Sequence, residues 1–381
     1  MKGWKTTTLG EIFEIARGGS PRPIDDYITD DPDGVNWIMI GDARSKYITS
    51  TKKRIIKEGM KKSREVKPGD FLLTNSMSFG RPYIMQTSGC IHDGWLVLSP
   101  QGGIAHPDYF YHLLGSDVLY AEFARRAAGA TVKNLNIELV KGVEVLLPPL
   151  AEQRRIAEVL DKAEALRAKR RSALAQLDSL TQSLFLDLFG DAEGKLKRFP
   201  CGALDDFCSF LSGFAWKADR FSKDPVGLPI IRIQNVDAVR DSDFIYWPDE
   251  YQERFVIHKG DLLLTLSGSF RIAEWSGPHA LLNQRIVRIE SKPGVERLWL
   301  LHAVRLLVAK IESLGRHALV NNVALSDLKQ LPLVHPPIDL QREFARRVAA
   351  VEKLKAAQRA ALAELDALFA SLQHRAFRGE I

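Results

Sequence analysis

Val66-Lys67-Pro68-Gly69-Asp70-Phe71-Leu72-Leu73-Thr74 returns later in the chain as Ile257-His258-Lys259-Gly260-Asp261-Leu262-Leu263-Leu264-Thr265. Each copy runs into a small-polar loop, Ser76-Met77-Ser78-Phe79-Gly80-Arg81 in the first and Ser267-Gly268-Ser269-Phe270-Arg271 in the second. A repeat at this scale decides the architecture before any single element is assigned. Downstream, Leu147-Pro148-Pro149-Leu150-Ala151-Glu152-Gln153-Arg154 meets His335-Pro336-Pro337-Ile338-Asp339-Leu340-Gln341-Arg342, and the register then holds unbroken to Phe189 and Phe377. Upstream, Val35-Asn36-Trp37-Ile38-Met39-Ile40-Gly41-Asp42 matches Leu228-Pro229-Ile230-Ile231-Arg232-Ile233-Gln234-Asn235 more loosely.

Each half divides at its Pro-Pro pair. The reading is a module over residues 1–147, a long helix over 148–190, a second module over 195–335 and a second long helix over 336–381. Inside the modules, Asp70 to Thr74, Asp261 to Leu266, Trp95 to Leu98 and Ile286 to Ile289 are short apolar runs bounded by Gly and Ser, the pattern of buried strands. Tyr109 to Ala127 and Leu298 to Leu314 carry helical periodicity. The expected fold class is therefore α+β, with two α/β modules in internal repeat.

After Pro149, Ile156, Val159, Ala163, Leu166, Arg170, Ala173, Leu177, Leu180 and Leu184 recur at alternating steps of three and four, a heptad seam. Phe344, Arg347, Val351, Leu354, Gln358, Ala361, Leu365, Leu368 and Leu372 stand at the equivalent places. A rod of this kind, roughly 55 Å long at 1.5 Å per residue, cannot bury its stripe alone. The matching seam in the other half is its natural partner, and antiparallel pairing would relate the halves by a pseudo-two-fold axis. Arg170 and Gln358 fall mid-seam, where polar residues either fix register or extend to solvent.

The chain has 381 residues, 45% hydrophobic and 26% charged, the composition of a folded protein. The start has no apolar core of a signal peptide, and no run approaches a membrane span, which points to a cytoplasmic protein. Cys90, Cys201 and Cys208 match no metal-binding spacing and read as buried small hydrophobes. With 53 basic and 47 acidic residues, the net charge of +6 permits an anionic partner without establishing one.

Gly129-Ala130-Thr131-Val132-Lys133-Asn134-Leu135-Asn136, then Leu146-Leu147-Pro148-Pro149-Leu150-Ala151-Glu152-Gln153-Arg154-Arg155-Ile156-Ala157 and the helix to Phe189-Gly190, resemble the specificity subunit of type I restriction-modification systems. The second copy departs from that pattern, with Val320-Asn321-Asn322-Val323 and Asp339-Leu340-Gln341-Arg342. The resemblance implies that each module is a target-recognition domain reading half of an interrupted sequence of double-stranded DNA. It implies that the two antiparallel coiled-coil helices set the spacing and dock two methyltransferase subunits, with motor-nuclease subunits joining them. The chain itself would then be non-catalytic and bind no cofactor, with S-adenosylmethionine, ATP and Mg held by the partner subunits.

Motifs for catalysis are sparse. The Pro-Pro pairs are followed by Leu150 and Ile338 rather than by the aromatic residue of an amino-methyltransferase loop, and no phosphate-binding GxxxxGK[ST] occurs. Glu65-Val66-Lys67 and Glu290-Ser291-Lys292 resemble only a fragment of a nuclease signature. An enzyme with an unrecognised site and a structural coiled-coil adaptor are the rival readings.

DNA contact needs cations for phosphates and Arg, Asn, Gln or Ser for base edges. Candidates in the first module are Arg17, Arg22, Arg44, Lys46, Lys62, Arg64, Ser78 and Arg81. Those in the second are Lys217, Arg232, Gln234, Asn235, Ser269, Arg271, Gln284 and Arg285. No metal ligand set is expected. Asn136 also reads as a helix N-cap, and Glu152 suits the positive end of its helix.

Overall fold

The computed structural model describes residues 3–75, 80–127, 135–190, 199–236, 244–266, 270–313 and 324–380. The Gly129 to Asn134 and Val320 to Val323 segments lie outside them, as do Ser78 and Ser269. The chain forms two compact units, one of Met1–Ala173 with Gln358–Ile381 and the other of Leu174–Ala357. Each unit thus takes one module and a stretch of both long helices. Among the described residues no helix is long and apolar enough to cross a membrane.

In the first unit, one sheet has the strand order Phe13–Arg17, Trp95–Pro100, Phe71–Thr74, Pro82–Met85, Tyr47–Ile48. A second is ordered Ile28–Thr29, Lys53–Ile55, Val35–Ile38, Gly89–Ile91, Arg64–Val66. Ile38, Val66, Leu72, Ile91, Trp95 and Val97 form one core cluster, and the larger core sits on the other face of the first sheet. The expected helix from Tyr109 to Ala127 is two, Pro107–Leu114 and Asp117–Ala127, interrupted at Gly115-Ser116, where the Ser116 hydroxyl donates to Leu113 O. Asn136 caps Ile137–Lys141 by accepting from Leu139 N at 2.8 Å.

The second unit repeats the plan with two four-stranded sheets. They run Cys208–Ser212, Ile286–Ser291, Leu262–Thr265, Ile272–Glu274, and Ile245–Trp247, Leu228–Ile230, Ala280–Leu281, Val256–Ile257. The helix Arg297–Ser313 matches the sequence reading closely.

The opening motif folds the same way twice. Gly69 and Gly260 take left-handed φ of 94° and 100°, which lets the chain turn sharply into the buried strand. The aspartate that follows closes the turn, with Asp70 Oδ2 accepting from Lys67 N at 2.8 Å and Asp261 Oδ2 from His258 N at 2.9 Å.

Another repeated device sits at the Pro-Pro junctions. Gln153, 1% exposed, accepts from His106 N at 2.8 Å and donates to Ile104 O and Pro148 O, both at 2.9 Å. Gln341, fully buried, accepts from Glu296 N at 2.8 Å and donates to Pro336 O at 2.8 Å. These glutamines satisfy backbone groups that no strand or helix ladder reaches, and so weld the long helices to the modules.

The long helices are Leu150–Phe189 and Ile338–Ala376. They pair antiparallel within each unit: Arg170 donates to Gln358 at 2.5 Å and Arg167 to Asp366 at 2.6 Å in the first, while Lys355 meets Asp178 at 3.0 Å and Phe344 packs on Phe185 in the second. Half of the expected seam faces inward, namely Ile156, Ala163, Leu177, Leu184, Phe344, Val351, Leu365 and Leu372. Most of the other half is displaced by one residue: Leu160, Arg167 and Thr181 are more buried than Val159, Leu166 and Leu180, as Val348, Lys355 and Phe369 are than Arg347, Leu354 and Leu368, while Ala173 and Ala361 are half-buried together with Leu174 and Leu362. Leu166, Leu180, Leu354 and Leu368 are consequently 40–54% exposed. Residues three and four apart are both neighbours on a helix, so periodicity left the choice open. Side-chain chemistry decides it: Arg167 stacks on Phe369 at 4.3 Å and pairs with Asp366 and Glu164, and Lys355 pairs with Asp178 and Glu352. The mid-seam pair Arg170 and Gln358 bind each other rather than extending to solvent.

Of the cysteines, Cys90 and Cys208 are buried but Cys201 is exposed, because it opens the two-stranded ribbon Cys201–Ala203 with Pro332–Val334.

Candidate nucleic-acid interface

At one end of the first sheet, three segments are tied together by backbone bonds. Gly18 N donates to Trp95 O at 3.0 Å, Gly19 N to Ile91 O at 3.1 Å and Asn75 N to Gly94 O at 3.1 Å. A Cβ at Gly18 would lie 2.0 Å from His92 O, so only glycine fits. Asp93 is the centre of this tip. It accepts from the Ser20 hydroxyl at 2.9 Å and pairs with Arg22 at 3.5 Å, while Arg17 Nε donates to its backbone oxygen at 3.1 Å. The Ser20 hydrogen bond, helped by the charges of His92 and Arg22, holds the Asp93 carboxyl below the usual carboxylate range against the opposing effect of burial. Lys62 stands beside the tip, its backbone oxygen against Gly19 and its ammonium 2.6 Å from Tyr27 OH.

The same frame recurs in the second module. Gly213 N donates to Ile286 O at 3.1 Å, Phe214 N to Leu282 O at 3.0 Å and Leu266 N to Arg285 O at 2.9 Å, and a Cβ at Gly213 would lie 2.1 Å from Asn283 O. This brings the Ser212 to Lys217 loop, Gln284, Arg285 and the end of the Leu262–Thr265 strand to one place. Lys217, Gln284 and Arg285 are exposed there. Arg271 is exposed one strand-end away, its backbone N accepted by Thr265 Oγ1 at 2.9 Å, as Arg81 N is by Thr74 Oγ1 at 3.2 Å. Phe270, by contrast, is a core residue at 2% exposure and presents nothing.

The frame is shared, but the residues it presents are not. Gly19 of the first tip corresponds to Phe214, which is 43% exposed and braced by Trp216 and Phe255. Asp93 corresponds to Gln284, so an acid is replaced by a neutral amide.

The remaining candidates lie elsewhere. Arg44, Lys46 and Arg81 line a cleft of about 620 Å³ with Tyr83, Tyr111, His112, Tyr120 and Phe369. Lys46 is not an unengaged cation: it meets Asp108 at 2.6 Å and Asp161 of the long helix at 3.2 Å, and lies 5.0 Å over Tyr111. Burial works to lower its pKa, but Asp108 and Asp161 outweigh it and raise it. His112 Nε2 lies 2.8 Å from the same Asp161 oxygen, so Lys46 belongs to a network that docks the module on its helix. Arg64 lies on the strand Arg64–Val66, paired with Ile91. Gln234 is exposed and Arg232 half-buried, next to Ile231, whose N donates to Leu281 O. Asn235 is fully buried and accepts from Arg232 N at 2.8 Å, an internal cap rather than a presented side chain. Asp42 plays the same part in the first module, accepting from Met39 N at 3.0 Å. Asp93, the residue at the centre of the first tip, carries no sequence signal of DNA contact, because a carboxylate repels phosphate and only the fold gathers Ser20, Arg22 and Arg17 around it.

Comparison with known proteins follows the same division. A family model for the type I restriction modification DNA specificity domain matches residues 1–176 and 201–366. The EcoKI specificity subunit of Escherichia coli K12 is 24% identical over 423 aligned positions, covering all of this chain and 89% of that protein. The EcoBI specificity subunit of Escherichia coli is 26% identical over 147 residues, an alignment spanning 38% of this chain and only 31% of that relative. A solved chain from a study of complex assembly and conformational transition of the type I R-M system superposes with a TM-score of 0.65 at 18% identity, covering 100% of this chain and 99% of that one. With two matched copies spanning most of its length, the chain belongs to the type I restriction modification DNA specificity domain family.

Proposed function

We propose that this chain is the sequence-reading, non-catalytic subunit of a type I restriction-modification complex. Each module reads one half of a bipartite, interrupted DNA target through the tip that holds Asp93 or Gln284. The observation that carries this reading is one backbone frame used twice with different residues presented, as two unlike half-sites require. The long helices set the spacer and dock two methyltransferase subunits, with Leu166, Leu180, Leu354 and Leu368 as the exposed apolar contacts. Motor-nuclease subunits complete the assembly, and S-adenosylmethionine, ATP and Mg belong to the partners.

Exchange of residues 195–335 for those of a relative tests the reading, with methylated adenines mapped across a genome. One half of the methylated sequence changes and the other stays. A change in both halves, or in neither, refutes the modular assignment.

A further inference from the structure

Asp70 and Asp261 occupy the same turn in the two modules, yet their surroundings differ. In the second, Arg288 Nη1 lies 3.7 Å from Asp261 Oδ2 and donates to Val256 O at 3.2 Å. Strand pairing identifies the equivalent of Arg288. Trp95 pairs with Thr74 as Ile286 pairs with Thr265, so the residue two further along is Val97 in the first module. Across the neighbouring strand pair, Leu211 opposite Arg288 becomes Ala16 opposite Val97.

Beside these smaller side chains lies a cavity of about 590 Å³, lined by Ala16, Val97, Val66, Asp70, Glu65 and Glu14 among others. Asp70 is 3% exposed, and its Oδ1 has no hydrogen-bond partner among the described residues. A buried carboxylate without a compensating cation is strongly disfavoured. Arg64 and Lys67 also line the cavity, but no ion pair among the described residues joins either to Asp70.

We propose that this cavity binds an alkylguanidinium or primary ammonium group, which takes in the first module the place that Arg288 fills in the second. Its N–H groups bond the Asp70 carboxyl and the Glu65 backbone oxygen, the counterpart of Val256 O, and Glu14 adds negative charge. A metal ion is a poorer occupant, because no group of three His, Cys, Asp or Glu among the described residues is placed to hold one. The site does not depend on the DNA-reading assignment.

The test is thermal melting of the full chain at constant ionic strength with agmatine, with tetramethylammonium, which has no N–H donor, and with NaCl. Agmatine at saturation raises the melting midpoint of the first unit by roughly 5 °C, and the two controls do not. Asp70→Asn keeps the acceptor for Lys67 N and loses the response. Val97→Arg supplies the cation internally, raises the basal midpoint and also loses the response. Equal shifts with agmatine and tetramethylammonium, or a response that survives in Asp70→Asn, overturn the proposal. Acid extraction separates the two sources of the group. Diamine released in stoichiometric amount from wild type but not from Asp70→Asn identifies a small free cation. An agmatine response that vanishes once the methyltransferase subunits are bound, with no diamine released, identifies a companion's side chain.

Discussion

Gln153→Ala should be among the most damaging single changes outside the apolar core. The side chain bonds three backbone groups, and truncation leaves each without it. Pro148 O is in a buried setting, so its loss carries the fuller penalty of about 2 kcal/mol, whereas His106 N and Ile104 O lie in partly open ones and lose about 0.5–1 kcal/mol each. The sum is about 3 kcal/mol, before any loss of packing. For a urea dependence of about 2–3 kcal/mol per molar, this lowers the midpoint of the first unit by roughly 1–1.5 M with an unchanged slope. Gln341→Ala removes one buried and one partly open bond and should cost the second unit somewhat less, about 2.5 kcal/mol. Equilibrium urea unfolding followed by fluorescence and circular dichroism checks both. Gln153→Glu keeps the size and one acceptor but points a carboxylate oxygen at two carbonyls, and should be no better than alanine at pH 7. A midpoint shift below about 0.3 M for Gln153→Ala, the size of a surface substitution, would show that water replaces the glutamine at no cost and that the weld is not one.

His302 should make the second unit acid-sensitive. Burial, with the charge of Arg305, lowers its pKa to about 4. The unfolded chain therefore binds the extra proton first, and stability is full above about pH 6.5 and falls by about 3 kcal/mol as pH drops toward 4. His302→Phe should flatten that part of the urea-midpoint profile, and an unchanged slope would assign the sensitivity to another group. Arg81→Ala and Arg271→Ala should each relax the preference for one half-site if the guanidinium reads a base; if it meets a phosphate, binding weakens uniformly and the salt slope falls by about 1. Leu166→Glu with Leu354→Glu should leave the melting midpoint within a few degrees while weakening methyltransferase binding at least tenfold, and full retention of binding in pull-down titrations would move the docking surface elsewhere. Lys355→Met should change stability by less than about 1 kcal/mol, since Asp178 and Glu352 are exposed enough to rehydrate; a loss above about 2 kcal/mol would mean the ion pair holds the helices together.

The repeat, the strands behind the Gly-Asp turns and the two long helices were legible because they rest on local pattern. Hydrophobic periodicity also placed Ile156, Ala163, Phe344 and Val351 correctly. It failed at Leu166 and Leu354, whose neighbours Arg167 and Lys355 turn inward only because a carboxylate on the opposite helix meets them. That partner is many residues away in sequence. The anchoring role of Gln153 is hidden for a similar reason: its three partners come from the loop before another helix and from the Pro-Pro junction. The tips were legible in part. Arg17, Arg22, Lys217, Gln284 and Arg285 are gathered where the sheets end, but Asn235 is an internal cap and Lys46 a structural cation, distinctions set by burial. Asp93 is not legible because its partners Ser20, Arg22 and Arg17 lie more than seventy residues away in sequence.

The division of the long helices between the units has a consequence for the order of synthesis. Phe369, Ala376 and Phe377 complete the core around Tyr109, Phe110 and Ile156. The first unit therefore cannot close until the ribosome has made residues near 377, although most of it emerges first. The second unit is one continuous stretch from 174 to 357 and can fold earlier. A chain that stopped at residue 357 would carry a finished later unit and an open earlier one, the reverse of the usual N-to-C order.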